Sequence, residues 1–247
     1  MARADQLLVA SGLAASRTAA QRMIAAGRVN WPGGVVAKAA LELAPETPLT
    51  VTADAEDRFV SRGGLKLAGA LSSSGVEVTG RTCLDVGQST GGFTDCLLQA
   101  GARRVVGVDV GHGQLHPRLL ADSRVKSFEG INCRNLAASD LGDAAPNEGF
   151  DLIVGDLSFI SLTLVLPQLP PLLADGGDLL LLAKPQFEVG PGSIGKGGVV
   201  RDPTLHDAVE RKLRRCAASI DLTVRAWMAS PLTGGDGNRE FFIWLNK

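Results

Sequence analysis

Net charge, paired cysteine and uninterrupted apolar chain are all scarce in this sequence of 247 residues. Lysine plus arginine number 25 against 26 acidic residues, a balance of −1, so the molecule as a whole is not built as a polyanion binder. The four cysteines, Cys83, Cys96, Cys133 and Cys216, form no C-x-x-C pair and are scattered among apolar or helical stretches, which suggests no disulfide frame and fits reduced thiols in a cytoplasmic protein. The least charged long stretch, residues 157–174, is broken by Pro167, Pro170 and Pro171 and does not make a membrane span. The N-terminus lacks the charged, apolar and small-residue succession of a signal peptide. A cytoplasmic protein without stable membrane association is therefore expected. What is present is ample core material, 45% hydrophobic residues with 21% charged, in a chain long enough for one sizeable domain plus a small appendage.

Charge is uneven along the chain. Over residues 1–40, Arg3, Arg17, Arg22, Arg28 and Lys38 face Asp5 alone, a local +4 that points to an anionic partner and makes these five cations its candidate contacts. Ser16 precedes the helix-period stripe Ala19, Ala20, Met23, Ile24 and Ala25, and Gly27 stands where that helix would stop. Another short helix is expected around Gln6 to Val9, a hairpin over Val29–Trp31 and Val35–Val36, and a strand over Leu49–Thr52. Residues 1–56 thus read as a small α+β domain with its basic residues on the helices, followed by a charged linker from Asp54 to Arg58.

From Ser61 the pattern becomes α/β. Strands are expected at Thr82–Val86, Arg104–Val110, Val125–Phe128, Phe150–Gly155, Asp178–Ala183, Leu222–Ala229 and Phe241–Leu245, with helices between them, among them Gly92–Gln99 and Pro203–Ser219, the latter capped by Asp202. Alternation predicts a parallel sheet covered on both faces. The last two strands, joined by a turn-rich link at 233–238, should pair antiparallel. Seven strands ending in a hairpin over residues 57–247 resemble the class I, Rossmann-like methyltransferase sheet.

Leu84-Asp85-Val86-Gly87-Gln88-Ser89-Thr90-Gly91-Gly92-Phe93 sets strand, glycine-rich turn and helix in succession, and Asp109 ends the next strand, where a carboxylate can accept ribose hydroxyls. This geometry also fits NAD, but the glycine spacing departs from G-x-G-x-x-G, and Asp85 before the turn favours a ligand with a cationic amino-acid end over a pyrophosphate. Candidate cofactor residues are Asp85, Gly87, Ser89, Thr90, Gly91, Gly92, Phe93, Asp109 and Asp156. Gly190 to Gly197 nearly matches a P-loop, but Gly197 replaces the Ser or Thr that would hold magnesium, so a loop near the active site is expected instead. His112 and His116 have zinc-compatible spacing without a completing cluster, and no metal is expected.

Four polar residues fall where such a fold opens its cleft: Lys66 before the first sheet strand, Asp156 and Lys184 at strand ends, and Glu240 entering the last strand. A Lys-Asp-Lys-Glu set suits methyl transfer to a ribose 2′-hydroxyl, a weak nucleophile that needs a base or a stabiliser for the developing alkoxide. Lys184 is the candidate base, Lys66 its electrostatic partner, Asp156 the group that holds the lysine and the methyl donor in line, and Glu240 the residue that orients the pair. A base lysine must be neutral near pH 7, about 3 pH units below its ordinary value, which costs about 4 kcal/mol. Base and oxyanion stabiliser both remain open for Lys184.

The runs Ser61-Arg62-Gly63-Gly64-Leu65-Lys66-Leu67, Gln88 to Asp95, Asp109 to Leu115, Asp156-Leu157-Ser158-Phe159-Ile160, Lys184-Pro185-Gln186-Phe187-Glu188, Ser230-Pro231 and Gly237 to Phe241 closely resemble the hemolysin A (TlyA) family. The resemblance implies a ribosomal-RNA cytidine 2′-O-methyltransferase that uses S-adenosylmethionine, with an N-terminal S4-type RNA-binding domain over 1–56, an FtsJ-like catalytic domain over 57–247 and the family tetrad on Lys66, Asp156, Lys184 and Glu240. Its partner would be ribosomal RNA or ribosomal subunits, with 16S RNA favoured over 16S and 23S RNA together. His112 and the run His116-Pro117-Arg118 depart from the usual pattern near the adenine side. Two other classes compete: a non-catalytic ribosome assembly factor, and a membrane-active haemolysin, which would need an apolar span or an amphipathic membrane face.

Overall fold

A computed structural model describes residues 1–14, 16–190, 192, 194–195 and 197–247, with the backbone alone at residues 55 and 56. The chain divides into two compact units, Met1–Asp57 and Arg58–Lys247.

In the first unit, β1 (Ala2–Arg3), α1 (Ala4–Ala10), α2 (Arg17–Ala25), β2 (Val29–Trp31), β3 (Gly34–Val35), β4 (Glu42–Leu43) and β5 (Thr50–Val51) follow one another. The Ser16 hydroxyl accepts from Ala19 N and starts α2, and the backbone turns at Gly27 to end it. β2 lies between β3 and β5, while β1 pairs with β4, two strands too short for any periodicity to announce. Leu8, Ala20, Ile24, Val29 and Val36 are among the residues that fill the core between them. The expected placement of all basic residues on helices is corrected. Only Arg17 and Arg22 lie on α2, whereas Arg3 ends β1, and Arg28 and Lys38 lie between elements. The segment expected as a linker is a 3-10 turn over Ala55–Arg58, with Asp57 ion-paired to Arg28.

The second unit runs α3 (Gly63–Ser74), β6 (Thr82–Val86), α4 (Gly92–Gln99), β7 (Arg104–Asp109), α5 (Pro117–Leu120), β8 (Val125–Glu129), α6 (Ala138–Leu141), β9 (Phe150–Gly155), β10 (Leu173–Ala183), α7 (Pro185–Glu188), α8 (Pro203–Ala218), β11 (Thr223–Ala229) and β12 (Phe241–Asn246). The seven-stranded sheet has the order β11-β12-β10-β9-β6-β7-β8. β8, β7, β6, β9 and β10 are parallel, and β12 is antiparallel to both β10 and β11. Every residue of β6 is buried, as a central parallel strand requires. Alternate side chains feed two cores: Leu84, Val106, Ile153 and Leu181 on one face, and Cys83, Val105, Leu152 and Leu180 on the other.

Two sequence expectations fail here. The β8–β9 connection holds only short turns and the four-residue α6, and β9 connects to β10 through three 3-10 turns over residues 162–172. Pro167, Pro170 and Pro171 lack the N–H that an α-helix needs and explain the second case. β10 begins at Leu173, paired with Phe150, and shifts register before Asp178 pairs with Leu152, because Gly176 and Gly177 let the strand bend there.

Candidate active site

The strand order reverses between β7 and β9 around β6, and ligands in open α/β sheets collect beyond the carboxyl ends at such a switch point. A cavity of about 490 Å³ lies there, lined by Gly87, Ser89, Asp109, Val110, Gln114, residues 131–134 and residues 156–160. A smaller one of about 160 Å³ is lined by Ser61, Gly63, residues 87–90, Gly92, Phe93, Asp156, Ser158 and Lys184. Gly87, Ser89, Asp156 and Ser158 border both, so the spaces adjoin.

The glycine-rich turn is held by its neighbours. Gly87 N and Gln88 N both donate to Val108 O, and Ser89 N donates to Asp109 Oδ2 at 2.7 Å. Gly87 has φ +82°, and a Cβ there would lie 2.9 Å from Asp156 O, so only glycine lets this turn close against the end of β9. At Gly92 a Cβ would lie 3.0 Å from Gly64 N; this close backbone approach seats α3 on α4, with Lys66 of α3 in reach of Glu240.

Beneath the turn runs a buried polar chain that sequence reasoning missed. Ser127 Oγ donates to Gln88 Oε1 (2.6 Å), Gln88 Nε2 to Thr94 Oγ1 (2.9 Å), and Thr94 Oγ1 to Asp85 Oδ2 (2.7 Å). Only Asp85 among these carried a signal, its acidity beside the turn; the others are ordinary polar residues whose meeting requires three separate elements. Burial pushes the Asp85 carboxyl up to about 7, opposed by the Thr94 hydrogen bond. Asp85 is fully buried and lines neither of these two cavities; its Oδ2 holds Thr94 beneath the turn. Gly91 likewise lines neither and serves as the N-terminal cap of α4.

The chemistry-bearing residues form two cation–carboxylate couples. Lys66 Nζ donates to Glu240 Oε2 at 2.5 Å, both groups being buried. Lys184 Nζ lies 2.6 Å from Asp156 Oδ1 in an ion pair and donates to Ser158 Oγ at 2.8 Å. The couples share one electrostatic field. Burial raises the Glu240 carboxyl, while Lys66 and Lys184 lower it and Asp156 raises it further. Of the four, Asp156 and Lys184 line the smaller cavity.

The residues fit the expected cofactor. Asp109, at the end of β7 and on the larger cavity, offers carboxylate oxygens to ribose hydroxyls beside apolar Val110, Ile131, Leu157 and Ile160, which suit a base. Gln114, hydrogen-bonded to Ser89 Oγ, borders the same space. The adjoining cavity, lined by Ser89, Asp156 and Lys184 among others, would hold the remainder of such a molecule. His116 caps α5 through its Nδ1, and among the described residues no cluster of three or more His, Cys, Asp or Glu could hold a metal ion. Of the P-loop-like segment, Pro191, Ser193 and Lys196 lie outside the described residues.

A family model described as FtsJ-like methyltransferase matches residues 59–247. The chain belongs to this family. It is 46% identical over 244 residues to the 16S/23S rRNA (cytidine-2′-O)-methyltransferase TlyA of Mycobacterium tuberculosis, covering 99% of this chain and 89% of that one. It is 36% identical to Hemolysin A of Brachyspira hyodysenteriae, covering 97% of each. A solved structure from Streptococcus thermophilus that carries a provisional hemolysin name is 39% identical, with a TM-score of 0.78, over 100% of this chain and 88% of that one. The FtsJ-like match covers the whole sheet and all four tetrad positions.

In the first unit, Asp5 gathers three side chains, two of them from the basic set expected to meet an anionic partner. It is buried and accepts from Arg3 Nε (3.0 Å), Arg17 Nη2 (3.2 Å) and Gln21 Nε2 (2.9 Å). Arg3 in particular holds its carboxyl well below the usual range. Arg28 pairs with Asp57, while among the described residues Arg22 and Lys38 are exposed and make no ion pair.

Proposed function

We propose that this FtsJ-like enzyme transfers a methyl group from S-adenosylmethionine to the ribose 2′-hydroxyl of a cytidine in ribosomal RNA, with 16S RNA as first substrate. The observation that carries the reading is Lys184, held by Asp156 and Ser158 on the wall of the cavity that adjoins the Asp109 pocket. The sulfonium-bound methyl supplied by the cofactor is an electrophile, so the protein's task is to place the hydroxyl and take up its proton. As the new O–C bond forms, Lys184 acts on the hydroxyl either as the neutral amine that takes up its proton or as the ammonium that stabilises the developing alkoxide, and Asp156 holds it in place in both cases. Lys66 and Glu240 stand behind them as a buried couple that fixes the local field. Asp109 and Ser89 hold the cofactor's ribose end.

The unit Met1–Asp57 acts, in this reading, as an S4-type RNA-binding domain. Arg3 and Arg17, positioned by Asp5, offer their exposed faces to phosphates together with Arg22 and Lys38. Ribosomal RNA as substrate implies the cytoplasm. Of the two features a haemolysin could use, the apolar span is not found: among the described residues no helix is long and apolar enough to cross a membrane.

The test is transfer of radiolabelled methyl to unmethylated 16S RNA, 30S particles and 50S particles. Wild type should place label in RNA, resistant to alkaline cleavage, and Lys184→Ala should lower the rate about 100-fold or more. Cofactor binding with no label on any of these substrates would replace the reading with a non-catalytic assembly factor.

A further inference from the structure

The function just described uses Lys184 but leaves the other end of its short helix, Glu188, without a role. Lys184 caps the N-terminus of α7 and Glu188 is its last residue. Both reach the same loop after β9. Lys184 meets Asp156 and Ser158, while Glu188 Oε2 accepts from Ser161 Oγ (2.6 Å) and Glu188 Oε1 from Leu162 N (2.6 Å). Lys212 of α8 completes the second grip by donating to Glu188 Oε2 (2.8 Å), Glu188 O (2.9 Å) and Ser161 Oγ (3.2 Å). Glu188 is 6% exposed, and these donors satisfy both of its carboxyl oxygens inside the protein.

Between the two grips lies Phe159, with φ +62° and 88% exposure. A bulky residue in the left-handed region is strained, and such strain persists only where the surroundings over-determine the backbone. The segment from Asp156 to Leu162 is over-determined in this way, pinned at its start by Lys184 and at its end by Glu188.

We propose that Glu188, backed by Lys212, is a positioning residue for methyl transfer: it fixes the loop carrying Asp156 and Ser158, so that Lys184 is held in register with the reacting oxygen. The proposal rests on the methyltransferase reading for its kinetic consequence. Removing the charge in Glu188→Gln leaves donors facing an amide and loosens the loop without touching the cofactor pocket's Asp109 side. Lys212→Met leaves both Glu188–loop hydrogen bonds in place and should disturb the loop less.

Two readouts test it on the full-length protein. Amide hydrogen exchange over residues 156–162 should rise about tenfold in Glu188→Gln, with residues 150–155 of β9 unchanged. In methyl transfer, kcat should fall about tenfold with KM for both substrates within about twofold, and Lys212→Met should show a smaller loss of the same kind. Unchanged exchange in the loop overturns the clamp itself, whatever the activity. Faster exchange with unchanged kcat, or loss confined to thermal stability, overturns the positioning role. A wild type that methylates no ribosomal RNA overturns the proposed function instead, and the exchange experiment still decides the clamp.

Discussion

Asp5 in the N-terminal unit and Asp85 under the cofactor turn both have 0% of their surface exposed, yet their carboxyls move in opposite directions. Asp5 is covered mainly by its own donors, Arg3, Arg17 and Gln21, and is held far below the carboxylate range. Asp85 is covered by the sheet and α4 and receives one side-chain hydroxyl, from Thr94, with no partner for Oδ1 among the described residues; it is pushed up to about 7. Exposure alone therefore says little about an acid. What decides is whether burial is supplied by cations or by apolar mass.

The largest expected difference is in pH dependence. A carboxyl raised in the folded state favours folding while it stays protonated, so the catalytic unit should lose stability as pH rises from about 4 to about 7, by about 4 kcal/mol at ~1.4 kcal/mol per pH unit. Denaturant unfolding across that range should show this decline in wild type and its loss in Asp85→Asn; an equal slope in both would remove Asp85 from the account. Asp5 works the other way. Its contribution is present above about pH 4 and is lost on further acidification, through its depressed folded value. Asp5→Asn should destabilise the N-terminal unit by about 2–3 kcal/mol at neutral pH, discounted because both arginines still reach solvent. Amide exchange in α1 and α2 would measure it.

Smaller effects sharpen the contrast. Thr94→Val takes a hydroxyl donor from Asp85 and the acceptor from Gln88, and should cost about 2 kcal/mol and weaken S-adenosylmethionine binding in a calorimetric titration. Gln21→Ala removes one neutral donor from an Asp5 that keeps two arginines and should cost about 1 kcal/mol or less. If Gln21→Ala proved as damaging as Asp5→Asn, the view of Asp5 as an arginine-dominated centre would fail.

Much of the catalytic fold was legible because parallel strands buried on both faces spell themselves as short apolar runs. Thr82–Val86, Phe150–Gly155 and Gly92–Gln99 have the predicted ends. The two-residue strands β1 and β4 were not legible, since pairing across about forty residues leaves no local pattern. The connection over 162–172 misled because its leucines are apolar enough for a helix, while its prolines forbid one. At the site, charged residues at strand ends were visible as candidates. Gln88, Thr94, Ser127 and Ser158 were not, because nothing in their types sets them apart from surface polar residues.

By itself the sequence determined the order of strands and helices, the glycine-rich turn, the acids and lysines at the strand ends and the family they resemble, all of which depend on residue type and short spacing. Only the tertiary structure decided which lysine meets which carboxylate, that Lys66 reaches Glu240 across 174 residues of chain separation, and that Asp85 lies behind the turn rather than in the pocket. Those outcomes depend on how strands order themselves and how closely α3 approaches α4. Such contacts are set by packing at long range, which local propensity and spacing do not encode.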